Sequence, residues 1–266
     1  MLKINAIVLG LMLPLIAYSS EVIKTNGHDD DTVMSWVRII IKGEIQKGDA
    51  QKINNLIPFA ISKSHFAASG LPSHHHAPVI SIKSSGGDVQ EAMATGRLLR
   101  KHKAMVIVDE KCISACTLVL AGASSRVVLG LPPFGKTKLG IHRIRSSSPQ
   151  AASLSADASI SQYNNMKQLV YEYLREMDVS VALAEKMFKI GSEDVYFLND
   201  AEAEQWSLSG TDPAYAEYMR IKDIEAYGAD CIAKRDSFNK CLSSGVDIDV
   251  CRKKTKFYGC KPLTQQ

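Results

Sequence analysis

Three short motifs of this 266-residue chain carry the side chains of an acyl-transfer reaction. Ser114 lies in Cys112-Ile113-Ser114-Ala115-Cys116, His142 closes Gly140-Ile141-His142, and Gly86-Gly87 follows Ser84-Ser85. A serine hydroxyl attacks a carbonyl only when a base takes its proton and donors receive the charge that grows on the oxygen. Imidazole suits the first task near neutral pH, which makes His142 the candidate base. The sequence places Ser114 at the start of a helix, where unpaired backbone N–H groups and the positive end of the dipole are available, so the Ala115 N–H is one candidate oxyanion donor. Gly86 and Gly87 allow a second N–H to approach a substrate, because no Cβ intervenes and positive φ is tolerated. Each part also has a plainer reading: a serine that caps a helix, glycines that form a turn, a structural histidine. An orienting acid is missing from the set.

These motifs each follow a segment that reads as a strand. "SWVRIIIKGEI" (35–45), "APVISIKSSGG" (77–87) and "AMVIVDEK" (104–111) are apolar runs of strand length, and "RVVLGLPP" and "KLGIHRIR" continue the series. Between them, "GDAQKINNLIPFAI" has helical spacing, and "DVQEAMATGRLLRKHK" is a helix with Asp88 as its cap. Alternation of strand and helix predicts an α/β fold: a mostly parallel sheet covered by helices, with right-handed crossovers. In such a sheet the strand ends that face one way form the ligand crevice, so motifs far apart in sequence can meet there. Beyond a Ser/Ala-rich stretch expected to be mobile (146–159), Ile160, Tyr163, Met166, Leu169, Val170, Tyr173, Leu174 and Met177 mark one face of a long helix over 159–177. A shorter helix, a short strand at "DVYFL" and a further helix at "NDAEAEQWSL" follow.

At 45% hydrophobic and 23% charged, the composition supports one sizeable core and a small appendage. The formal charge of +4 is small for this length, and no basic stripe interleaved with aromatics is present, which excludes a nucleic-acid partner. Residues 1–19 have the pattern of a secretory signal peptide: Lys3, an apolar run from Ala6 to Ala17, then small residues. That run is shorter than the roughly 20 apolar residues that span a bilayer, so the expectation is an exported, periplasmic or secreted protein with no membrane contact after signal cleavage. A polar, aperiodic lead-in is expected over 20–36.

Six cysteines agree with an oxidising destination. If "DCIAKRDSFNKC" and "VCRKKTKFYGC" are two helices joined by a turn at Ser243–Gly245, the hairpin sets Cys241 opposite Cys251 and Cys231 opposite Cys260. Those two disulfides are predicted; a zinc site would need cysteine pairs two to four apart. Cys112 and Cys116 flank Ser114 and favour a bridge within one helical turn; buried thiols and a cysteine nucleophile are the other readings. His74-His75-His76 reads as an exposed loop, with no metal site assigned and no cofactor required.

The runs "VRIIIKGEI", "ISIKSSGGDVQEAMATGRLLR", "CISACTLVLAG" and "GIHRI" resemble the Clp protease proteolytic-subunit superfamily, in particular its exported Clp-like relatives, over residues 37–210. The resemblance implies stacked βαβ units of the Clp/crotonase type. Ser114 would be the nucleophile, His142 the base, and Gly86, Gly87 and Ala115 the surroundings of the oxyanion hole. It further implies a peptide or unfolded-protein substrate and a homo-oligomer assembled through the 159–177 helix. The third catalytic residue of that family is an aspartate ahead of a segment matched here by Phe197, Leu198, Glu202 and Ala203. Asp194 is the nearest carboxylate, with Glu193 and Asp200 as alternatives. A related exported family, similar to signal peptide peptidase A, uses a serine–lysine dyad, which would make Lys136 or Lys138 the base. The expected organisation is therefore a signal peptide (1–19), a lead-in (20–36), a Clp-like domain (37–210) and a cysteine-rich helical hairpin (211–266). The expected function is an exported, ATP-independent serine peptidase; the alternative is a non-catalytic module that binds peptides or envelope proteins.

Overall fold

Ile39, Ile41, Ile80, Ile82, Val106 and Val108 are fully or almost fully buried, and they lie on three neighbouring strands. In the computed structural model, which describes residues 21–28, 35–63, 77–132, 135–145, 155–191 and 193–263, these strands are β2 (Ser35–Lys42), β3 (Val79–Ser84) and β4 (Met105–Ile113), paired in parallel. The connections are α1 (Asp49–Lys63) and α2 (Val89–Lys101). Asp88 caps α2, its carboxylate accepting the Glu91 N–H at 2.8 Å, as the sequence predicts. β5 (Ser125–Val128) and β6 (Lys138–Ile141) add to the parallel set, and β7 (Tyr196–Phe197) and β8 (Gly210–Thr211) pair antiparallel with β6 and β5. The fold class is α/β with a mostly parallel sheet.

β4 is the strand that shapes the site. Its first half, Met105–Val108, pairs with β5, whereas Lys111–Ile113 pair with β6. The change of partner coincides with a register shift against β3, where Ile82 faces Val108 but Ser84 faces Cys112. Extra residues in one strand bend it and re-aim its end. The turn after β4 leads into α3 (Cys116–Gly122), every residue of which is buried. Gly96 of α2 and Gly122 of α3 let the two helices touch main chain to main chain: a Cβ on Gly122 would lie 2.3 Å from Gly96 Cα.

α4 (Ala156–Glu176) is capped by Ser155, which accepts the Ala158 N–H at 3.2 Å. Its predicted apolar face divides. Val170, Tyr173, Leu174 and the following Met177 are core residues, whereas Ile160 and Leu169 are exposed. Tyr173 is wholly buried and donates its hydroxyl to Leu118 O at 2.7 Å. Buried Arg126 ties three segments together, donating to the carbonyls of Ala121, Met177 and Ser207. α5 (Ala182–Lys189) and α6 (Asp200–Gln205) follow, α6 with a complete capping box between Asn199 and Glu202.

Three expectations are corrected. The segment expected as a loose lead-in contains β1 (Glu21–His28), antiparallel to β2; the open edge of β2 supplies hydrogen-bond partners that composition does not reveal. The sheet also takes in Thr211 through β8, one residue past the expected domain end. Finally, the C-terminal region is three helices rather than two: α7 (Pro213–Tyr227) precedes α8 (Ala229–Ser243) and α9 (Ile248–Thr255). Asp212, Pro213 and Gly228 were the punctuation that would have found α7. It lacks a single apolar face, and periodicity alone passes over it. The hairpin itself is linked as the spacing predicts, Cys231 to Cys260 and Cys241 to Cys251. α9 ends at Thr255, before left-handed Lys256, so Cys260 sits in the irregular segment that follows rather than on a helix. The signal-peptide segment and His74–His76 lie outside the described residues.

Candidate active site

Ser114 does not begin a helix. It occupies the elbow between β4 and α3 with φ +58°, a left-handed conformation that costs an L-residue about 1–2 kcal/mol. The capping reading fails on geometry, because Thr117 N–H bonds to the main-chain oxygen of Ser114, not to its hydroxyl. The elbow is braced on both sides. Ser114 N–H donates to Gly140 O at 2.9 Å, and the Thr117 hydroxyl donates to Ser114 O at 2.7 Å. A disulfide joins Cys112 to Cys116 with Cα atoms 5.2 Å apart. It spans the end of the strand and the first residue of α3, rather than one helical turn as expected, and both cysteines are fully buried. A non-glycine residue held with positive φ at a strand-to-helix turn presents its side chain outward from the sheet end.

Gly86 and Gly87 lie against this elbow. A Cβ on Gly86 would fall 2.7 Å from Ser114 Cβ and 3.1 Å from its Oγ. At Gly87 it would meet Ile45 O at 2.2 Å. Both have strongly positive φ, +112° and +135°. Only glycine fits here on steric and conformational grounds. Ile45 N–H donates to Gly86 O at 2.7 Å, and Ile45 O accepts the Asp88 N–H at 2.9 Å. In this bridge Gly86 and Asp88 take both bonds to Ile45, so the intervening Gly87 N–H faces away from Ile45. Among the described residues neither the Gly87 nor the Ala115 N–H donates a hydrogen bond. Two donors are thereby left beside one hydroxyl, which is the requirement of an oxyanion hole. Ser84, which the motif reading passed over, is fully buried and holds the turn: its hydroxyl accepts the Gly86 N–H at 3.1 Å and lies 3.2 Å from Gly86 O. A serine closing a strand just ahead of paired glycines is its only sequence signal.

β6 delivers His142 to the same end of the sheet. Ile113 pairs with Gly140, and His142 is the first residue after the end of β6 at Ile141. The imidazole Nδ1 is 2.9 Å from Arg143 O. No hydrogen bond joins it to Ser114.

The candidate acids flank β7. β7 opposes Gly140 with Phe197 and Ile141 with Tyr196. The pairing stops there, and the Asp194 N–H bonds instead to Gly191 O at 3.3 Å. Residues directly opposed in an antiparallel pair share a face, so Gly140 and Phe197 lie on one face and Ile141 and Tyr196 on the other. A Cβ on Gly140 would meet Val195 Cγ1 at 2.8 Å and Phe197 Cε1 at 3.1 Å, in accord with that shared face. The Asp194 carboxylate turns back to Gly191, where a Cβ would lie 2.6 Å from its Oδ2. Glu193 pairs with Arg145 at 3.3 Å, and Asp200 is the first residue of α6. No carboxylate hydrogen-bonds to His142 among the described residues. Lys138 lies two residues before Gly140, its Nζ 5.8 Å from the Phe197 ring, and Lys136 lines the recess around Asp109. Neither reaches Ser114.

No group of three His, Cys, Asp or Glu side chains able to hold a metal ion occurs among the described residues. No described helix is long and apolar enough to cross a membrane.

The molecule is thus an α/β protein with a mostly parallel sheet, a disulfide-braced serine elbow and a disulfide-linked C-terminal hairpin. No protein-family model matches the chain, and no curated protein matches it. Among solved structures it is similar to a mutant of ClpP1 from Listeria monocytogenes, at 17% identity over 65% of this chain and 88% of that one, with a TM-score of 0.46.

Proposed function

We propose that the protein is an exported serine hydrolase acting on peptides or unfolded chains, with Ser114 as nucleophile and His142 as general base. The observation that carries this reading is the elbow: a serine in strained left-handed conformation, packed against Gly86, with the Gly87 and Ala115 N–H groups left without partners. In the reaction, Ser114 Oγ attacks the carbonyl carbon, His142 takes the hydroxyl proton, and the two N–H groups receive the charge on the former carbonyl oxygen. His142 returns the proton to the leaving amine, and a water molecule then releases the acyl group from Ser114. Closing the serine–imidazole gap requires a turn of the His142 side chain away from Arg143 O, and such hydrogen bonds often form only with substrate bound. Self-assembly through the exposed Ile160 and Leu169 of α4 belongs to the same reading. A fluorophosphonate probe is expected to label the protein and to fail on Ser114→Ala; an unlabelled, folded wild type refutes the proposal.

One observation favours a second reading. No carboxylate hydrogen-bonds to His142 among the described residues, which suits a module that binds peptide in the crevice without cleaving it. On that reading Ser114→Ala and His142→Ala leave peptide affinity unchanged, and no turnover accompanies binding.

A further inference from the structure

The fork in β4 leaves a recess of about 460 Å³ where β5 departs and β6 has just joined. Lys111, Lys136 and Lys138 line it, together with Asp109, Glu110, Gly130 and Thr137. Thr137 is buried and fills the crotch of the fork, its hydroxyl bonding to Asp109 O at 3.2 Å and to Leu129 O. Both carboxylates already have partners. Asp109 accepts from the Ser81 hydroxyl at 3.0 Å and lies 3.8 Å from Arg38, and Glu110 pairs with Lys83. The lysines are not matched in this way. Lys111 and Lys138 are direct partners in the β4–β6 register, two like charges opposed across strands, an arrangement that weakens pairing unless something neutralises it. Among the described residues neither they nor Lys136 form an ion pair; Lys138 only overlies Phe197.

Location ties the recess to the serine. Lys138 and Gly140 lie on one face of β6, which ends one residue before His142, and Lys111 and Ile113 lie on the matching face of β4. Lys111 lies three residues before Ser114, roughly 10 Å at about 3.3 Å per residue. That is the reach of a three-residue peptide in extended form.

We infer that this recess is a carboxylate subsite of the crevice, selecting peptide chains that carry an acidic side chain or a free terminal carboxylate about three residues from the carbonyl at Ser114. The inference rests on the crevice being a peptide site, as proposed above, but not on its being catalytic. It is tested by fluorescence polarisation with the full Ser114→Ala protein, which binds without turnover. The probes are labelled alanine-rich hexapeptides carrying one Glu or one Gln, each with a free or an amidated C-terminus. The Glu peptide, the free-acid peptide or both are expected to bind roughly tenfold tighter than the Gln amide, with the advantage shrinking as salt rises. Comparison of the two arms tells a side-chain carboxylate from a terminal one. Lys111→Ala with Lys138→Ala should reduce the preference to less than about twofold. Its melting temperature should stay level or rise, because an opposed pair of like charges has been removed. Equal binding of all four peptides, survival of the preference in the double variant, or a fall in its melting temperature each overturns the inference. Absence of fluorophosphonate labelling would instead sink the hydrolase reading and leave this result standing.

Discussion

Strain at Ser114 can be measured separately from its chemistry. The residue holds φ +58° in the elbow, which costs a non-glycine residue about 1–2 kcal/mol. Glycine adopts this conformation freely but gains roughly 0.5–1 kcal/mol of backbone freedom in the unfolded chain. Ser114→Gly should therefore be neutral to stabilising, by up to about 1 kcal/mol, or roughly 2–4 °C in melting temperature for a domain of this size. Ser114→Ala keeps the strained backbone and loses no hydrogen bond to a described residue, so it should lie within about 0.5 kcal/mol of wild type. Ser114→Val places a β-branched side chain at positive φ, and a loss of about 1–3 kcal/mol is expected. The assay is a thermal melt of all four proteins with disulfides intact, run beside fluorophosphonate labelling. The expected order of stability is glycine, then serine and alanine together, then valine, with labelling confined to serine. A glycine variant that melts several degrees below wild type, or an alanine variant that loses about 1 kcal/mol as a missing helix cap would, refutes the argument that backbone strain is held at this residue for the sake of its hydroxyl.

Three further outcomes follow from particular contacts. Val195→Asp puts a carboxylate close to Gly140, two residues before His142, and should raise the labelling rate of Ser114 at least about tenfold, since an orienting acid is worth far more than that in serine hydrolases; an unchanged rate would refute position 195 as a place from which an acid can orient His142. Gly96→Ala drives a Cβ to within 1.8 Å of the Tyr173 hydroxyl and should destabilise by about 1–3 kcal/mol, while Tyr173→Phe alone costs about 1 kcal/mol through its lost bond to Leu118 O. The double variant should be less destabilised than the sum, and strict additivity in denaturant melts would contradict the contact. Asp212 is 3% exposed; burial pushes its carboxyl pKa up, but the Tyr215 N–H and Arg100, 2.8 Å away, outweigh that and hold it below the ordinary range. An acid depressed in the folded state stabilises above its unfolded value, about 3.9, and that contribution is lost as pH falls through the folded value. Melting temperature should therefore fall more steeply below about pH 4 in wild type than in Asp212→Asn; parallel profiles would refute the assignment.

Much of the architecture was legible because it depends on neighbours a few residues away. The isoleucine and valine runs of β2, β3 and β4, the Asp88 cap and the cysteine spacing of the hairpin are local signals, and the structure places strands, helix and bridges there. The same reasoning located Ser114, Gly86, Gly87 and His142 at strand ends, from which their common position at one end of the sheet follows. Nothing local could reveal β1, since its strand state is conferred by the open edge of β2. Nor could spacing tell whether Tyr196 or Phe197 shares the face of Gly140: side chains alternate along a strand, and one step of register exchanges the two faces. The elbow at Ser114 was likewise read as a helix start. Its left-handed turn arises from the pull of distant partners, Gly140 O on the Ser114 amide and the close approach of Gly86. Residue types and their order, then, set which groups are available for chemistry; the pairing of strands distant in sequence decides which of them share a face, because that pairing is long-range and its period is only two residues.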